Sequence, residues 1–173
     1  MAKATNKVIT PVGTLSFPSL VTKNEKGKFS ASIVFAPGTD VSVIEGLIQT
    51  AVETLVPADV NPKSLRLPMQ RDGAEKSHLG GPYVDGAKFF EAKSNFQPGV
   101  VGPDRQPIMN VADELYPGAL VRFQIHAFYY STDGNRGIGI GLDNVQKAGD
   151  GARLDGAVAA EDVFGAIDTD DLL

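Results

Sequence analysis

The chain has 173 residues, 42 % of them hydrophobic, enough for one domain of about 150 residues and a tail. It has no cysteine, so disulfides, thiolate metal sites and cysteine nucleophiles are excluded together and stability must come from packing. The formal charge of −5 is unevenly spread: residues 1–147 carry 15 Lys and Arg against 14 Asp and Glu, whereas residues 148–173 set Arg153 against seven acids.

The N-terminus, MAKATNKVIT, lacks the apolar stretch of a signal peptide, and no run approaches the roughly 20 apolar residues that span a bilayer. The expected setting is cytoplasmic, without a membrane partner. Nineteen Gly and eleven Pro punctuate the body into short pieces, which favours a mostly-β fold. Val8 to Phe17 reads as a strand interrupted by Pro11 and Gly13 and ended by Pro18, hence an edge. The loop Lys23-Asn24-Glu25-Lys26-Gly27-Lys28 presents three lysines at a hairpin tip. In Lys28 to Phe35, Phe29, Ala31, Ile33 and Phe35 alternate with Lys28, Ser30, Ser32 and Val34, the period of a sheet with one buried face.

The period then changes. Val41, Ile44, Leu47, Ile48, Ala51, Val52 and Leu55 recur at three and four residues, predicting a helix capped by Thr39 or Asp40 that stops before Pro57. Residues 57–86, rich in Pro, Gly and charge, predict a long loop with at most short turns, a feature that is usually functional or mobile. Ala87 to Asn95 is the next strand, with Lys88, Phe90, Ala92 and Ser94 on one face and Phe89, Glu91 and Lys93 on the other. Gly99 to Pro107 reads as loop. Leu120–Tyr130 and Gly137–Gln146 flank the turn-forming Ser131–Arg136 as a long hairpin.

In the first hairpin strand Val121, Phe123, Ile125, Ala127 and Tyr129 form the apolar set, which leaves Arg122, Gln124, His126, Phe128 and Tyr130 opposite. The partner strand sets Ile138, Ile140 and Leu142 against Gly137, Gly139 and Gly141. Three alternating glycines forfeit stability, and such a bare face marks close approach by another group: the aromatics across the hairpin, or a nucleic-acid base or backbone. Grooves for single-stranded nucleic acid combine Lys and Arg along the phosphates with aromatic rings under the bases, at about 1–3 kcal/mol per base. Lys88, Phe90 and Lys93 on one strand, Arg105 in the following loop, and Arg122, Phe128, Tyr130 and Arg136 in the hairpin supply both ingredients. The competing reading makes each aromatic a core residue and each base a solvated surface group.

Catalytic readings find little. His78 and His126 are the only histidines and are far apart, which predicts no metal site and no cofactor. Asp72 and Glu75 near His78 read as solvated surface. The Gly-rich run 137–141 lacks the Lys-Ser/Thr of a phosphate-binding loop and opens no helix. The expectation is a binding protein rather than an enzyme.

The block Gly134-Asn135-Arg136-Gly137-Ile138-Gly139-Ile140-Gly141-Leu142-Asp143-Asn144-Val145-Gln146-Lys147, preceded by Tyr116-Pro117-Gly118 and a basic-aromatic strand, resembles the single-stranded DNA-binding proteins of tailed bacteriophages. Arg71-Asp72-Gly73, Ala92-Lys93-Ser94 with Pro98-Gly99-Val100-Val101, and Gly13-Thr14-Leu15-Ser16-Phe17-Pro18 carry the resemblance over most of residues 8–150. It implies an OB-fold-like five-stranded barrel with one helix over residues 1–150. Residues 151–173 would be a disordered acidic tail. The implied function is sequence-independent coating of single-stranded DNA in phage replication and recombination, inside the infected cell. The strand Lys88–Ser94 and the hairpin Arg122–Tyr130 would form the groove. The tail would recruit replication and recombination proteins through Asp168, Asp170, Asp171, Leu172 and Leu173, with Phe164 standing in for the terminal aromatic of many such tails. The rival reading is a phage structural or assembly protein that binds no DNA.

Overall fold

The computed structural model describes residues 4–154 and Ile167. These hold β1 (Val8–Ile9), β2 (Gly13–Ser19), β3 (Phe29–Phe35), α1 (Ser42–Leu55), β4 (Lys88–Ser94), β5 (Gly99–Val101), α2 (Val111–Glu114), β6 (Leu120–Thr132) and β7 (Asn135–Gly149). The strands close on themselves. Pairs β2–β3, β3–β4, β6–β7 and β2–β6 are antiparallel, and β4 meets β7 in parallel at Lys93 and Gly141. The five strands β2, β3, β4, β7 and β6 therefore form a barrel of the OB-fold type, extended by β1 on β6 and by β5 on β7.

The barrel fills with the alternate residues that the sequence marks as apolar. Val121, Phe123, Ile125 and Ala127 of β6 are each 0 % exposed and meet Ile138, Ile140 and Leu142 of β7 inside. The stripe Ile44, Leu47, Ile48, Ala51 and Leu55 packs α1 against β1, β6 and β7. The N-cap position is Val41 rather than Thr39 or Asp40; Asp40, two residues before the helix, accepts from Ser42 N at 3.0 Å through its carboxylate. That hydrogen bond holds the Asp40 carboxyl below the usual carboxylate range.

Several elements differ from the sequence-based expectation. The first strand is two strands, and β2 runs through Pro18 to Ser19 by a register break after Ser16, with Phe17 in the left-handed region at φ 47°. Strand β3 is buried on both faces: Tyr83 packs over the outer Val34, and Asn24 donates to Ser30. Residues 99–101 form β5, parallel to β7, although three residues between prolines carry no periodic signal. The hairpin strands extend to a two-residue turn, Asp133-Gly134, whose φ values of 48° and 82° suit a type I′ connection. The long loop 57–86 agrees with expectation, holding only short 3₁₀ turns at Pro62–Ser64 and Gly73–Leu79.

At the C-terminal end residues 151–154 lie along Tyr116–Gly118. Leu154 N donates to the Pro117 carbonyl at 2.8 Å, Gly151 N donates to Tyr116 Oη at 3.0 Å, and the Arg153 guanidinium sits 4.6 Å from the Tyr116 ring centre. Phe164, Asp168, Asp170, Asp171, Leu172 and Leu173 fall outside the described residues.

Candidate nucleic-acid interface

Parallel strands that pair at one point must splay on either side of it. Strands β4 and β7 touch at Lys93 and Gly141 and separate toward their N-terminal ends, where residues 66–73 fill the gap. Arg66 is fixed to β7, its N–H donating to Arg136 O and its carbonyl accepting from Ile138 N, both at 2.9 Å. Gly73 N donates to Ala87 O at 2.8 Å, beside the start of β4. Asp72 closes the other end: it caps the second 3₁₀ turn through Ala74 N at 2.9 Å and also accepts from Gly86 N at 3.0 Å. The segment is thus a tethered wall.

Between this wall, the outer face of β4 and the outer face of β6 lies a groove of about 610 Å³. Phe128 and Tyr130 line one side, and His126 continues their row beyond the lining. Tyr130, Phe128 and His126 pair with Gly137, Gly139 and Gly141 across the hairpin and lean over them. A Cβ on Gly139 would lie 2.7 Å from Phe128 Cε2, one on Gly137 2.7 Å from Tyr130 Oη, and one on Gly141 2.9 Å from His126 Nδ1. The bare face is therefore occupied by the aromatics across the hairpin. The glycines let three rings lie over the sheet, and Phe128, Tyr130 and His126 are all half-buried. His126 Nδ1 is 2.8 Å from Asp143 Oδ2, and Lys7 reaches the other oxygen of Asp143 at 3.4 Å, which fixes that ring's orientation. The Phe128 and His126 ring centres are 6.2 Å apart.

Of the residues singled out from sequence, Lys93, Phe128 and Tyr130 meet in this groove. Phe90 is also among the lining residues. It is 3 % exposed, packed 6.0 Å from Phe35 in the core, so it is corrected from stacking residue to core residue; Phe89 is the aromatic on the outer face beside Lys93. Lys88 lies outside the lining, its Nζ 3.0 Å from Glu45 of α1. Arg122 is on the outer face of β6 but at its far end, donating to Gln146 Oε1 at 2.7 Å. Arg105 sits in the loop after β5 at φ 68°, and Arg136 contributes its carbonyl to the wall rather than its side chain to the lining. The structure adds Arg66, Met69, Gln70, Arg71 and Phe89. Alternation along β4 already places Phe89 with Lys93. Arg66 and Arg71 carry only the signal of basic residues in a long, charged loop.

The groove's charge is mixed. Lys93 pairs with Glu91 at 3.5 Å and Arg71 with Glu75 at 3.6 Å, whereas Arg66 forms no ion pair among the described residues. Among those residues no cluster of His, Asp and Glu could hold a metal ion, and no helix is long and apolar enough to cross a membrane.

A family model described as the single-stranded DNA-binding protein of Enterobacter phage Enc34 matches residues 5–173. The chain belongs to this family. A solved structure of the Enc34 phage single-stranded DNA-binding protein is similar at TM-score 0.69 and 20 % identity, covering 91 % of this chain and 89 % of that one. The same phage protein in complex with single-stranded DNA is similar at TM-score 0.68 and 20 % identity, covering 85 % of this chain and 88 % of that one. The single-stranded DNA-binding protein gp2.5 of bacteriophage T7 reaches TM-score 0.64 at 10 % identity, over 91 % of this chain and 99 % of that one. These likenesses establish the shared OB-fold-like barrel. No curated protein sequence matches.

Proposed function

We propose that this Enc34-family chain binds single-stranded DNA without sequence preference, by stacking bases on exposed ring faces and neutralising phosphates along the groove, and that it catalyses no reaction. The observation that carries the reading is the ring row on its glycine row, opening into a groove that also holds basic residues. Every base has a π-face, so rings without a hydrogen-bonding code give affinity without sequence choice. Phe128, Tyr130 and Phe89 are the stacking residues; Arg66 and Lys93 meet phosphates. The acidic C-terminal segment, which includes Asp168, Asp170, Asp171, Leu172 and Leu173, recruits proteins of phage DNA replication and recombination in the infected cell.

Titration with poly-dT, followed through intrinsic tyrosine fluorescence because the chain has no Trp, tests this directly. We expect saturable quenching that weakens between low and moderate salt, with a slope of about −0.7 in log K per phosphate contact. Absence of any salt-sensitive signal would sink the proposal.

A further inference from the structure

A second groove, of about 580 Å³, lies where the end of β2 meets α2, and it shares no lining residue with the interface groove. The register break after Ser16 makes one wall. Phe17 adopts φ 47°, in the left-handed region that aromatic residues rarely enter, and its ring is 60 % exposed. Strained backbone that holds a large apolar side chain in solvent marks a surface built for contact. Val21, also exposed, stands on the same wall, and Val111 and Pro117 belong to the other. Leu20 and Leu115, both nearly wholly buried, join the groove to the core.

Two features say what covers it. The first is the path of the chain. Leu154 N donates to the Pro117 carbonyl at 2.8 Å, so the C-terminal segment leaves the barrel from the groove's own rim. Phe164 is the first aromatic after it, ten residues on, and ten residues reach at most about 33–36 Å. The second is charge. Lys23 is the one charged side chain among the described residues of the lining, and Glu161-Asp162-Val163-Phe164 sets two acids beside two apolar residues. Ile167, beyond this stretch, is 76 % exposed, which leaves Phe164 as the ring for the groove.

We infer that the chain folds back on its own barrel here: Phe164 and Val163 enter the apolar groove, and Glu161 and Asp162 meet Lys23. Asp168 to Leu173 then project from a fixed point on the surface. Tethering favours the molecule's own segment over a second copy, because a short linker supplies an effective concentration in the millimolar range. The contact is separate from base stacking and stands whether or not the interface groove binds DNA.

Because the chain has no cysteine, one engineered pair, Val21→Cys with Gly165→Cys in the full-length protein, tests the contact. Val21 is exposed, so its replacement leaves the packing intact. We expect a disulfide within one molecule, formed at a rate independent of protein concentration. Adding Phe164→Ala, which keeps the tether length, should slow it about fivefold or more, the worth of one buried ring. Adding Lys23→Glu should slow it at low salt and not at high salt. A rate indifferent to Phe164→Ala would mean that tethering alone brings the sulfurs together, and would overturn the inference. A rate that rises with protein concentration would assign the groove to a second copy and overturn it as well. One docked ring adds little to the stability of the whole fold, so the second readout is also local and needs no cysteine. The methyl resonances of Val111 and Leu115 should shift between wild type and Phe164→Ala; identical spectra would sink the inference.

Discussion

A methyl group at position 139 has no room. It would enter the Phe128 ring, and the ring would have to rotate up from the sheet into the groove. Gly139→Ala should therefore remove one stacking surface while leaving every aromatic in the sequence. Affinity for oligo-dT is expected to fall about fivefold or more, as in Phe128→Ala, and the double variant should lose no more than Phe128→Ala alone, because both changes abolish the same surface. Full affinity in Gly139→Ala would show that Phe128 does not stack. This residue-level logic was partly legible in the sequence: the alternation of Gly with Ile in β7 and of polar with apolar residues in β6 states both faces of the hairpin. Phe89 and Phe90 show the limit. Adjacent rings in a strand point to opposite faces, and the one sharing a face with Lys93 is Phe89. Arg66 gave no such signal, because its place is set by backbone pairing to β7, which leaves no mark in side-chain pattern.

Among elements, residues 57–86, read from sequence as a long loop with at most short turns, supply the groove's wall through residues 66–73, tethered by Asp72, and also carry Tyr83. Their stability comes from a few polar contacts that composition cannot announce. Tyr83 Oη donates to Ser16 Oγ at 2.8 Å, and its ring packs edge-on to Phe89 with centres 5.6 Å apart. Burial pushes the Tyr83 hydroxyl above the ordinary value of 10.0, and the hydrogen bond with Ser16 only partly offsets it. A group whose folded-state value is raised stabilises the fold below its unfolded value and loses that contribution as pH climbs through the folded one. Wild type should thus lose stability more steeply than Tyr83→Phe above pH 10.0. At neutral pH the variant should be less stable by about 0.5–1.5 kcal/mol for the lost hydrogen bond, so the two denaturation curves converge in alkali. Parallel curves at all pH values would mean that the hydroxyl is solvated. The helix and long hairpin were legible because period and turn chemistry agree; β5 was not, being three residues held by parallel pairing to a distant strand.

On the scale of the molecule, the acids of residues 148–173 carry the negative formal charge, and the contacts of residues 150–154 matter to where that segment is cut. Removing residues 155–173 deletes six acids and shifts the formal charge from −5 to +1. If the acidic C-terminal segment competes with DNA for the groove as a polyanion, this truncation should raise affinity for oligo-dT at low salt, with the gain shrinking as salt screens both competitors. Equal affinity of both chains across the salt range would exclude such competition. The position of the cut matters independently. Residues 150–154 pack on Tyr116–Gly118, with Tyr116 Oη between Asp150 and Gly151 and the Tyr116 ring between Lys147 and Arg153. Lys147, 2.8 Å from Asp150, holds that carboxyl below the usual range, first by hydrogen bonding and then by its charge. A chain ending at Leu154 should therefore keep the wild-type melting temperature, whereas one ending at Gly149 should melt several degrees lower, having lost the Leu154–Pro117 hydrogen bond and the cover over Tyr116. Affinity gained by the first truncation and stability lost only in the second would separate the tail's electrostatic role from the packing of the segment that leads into it.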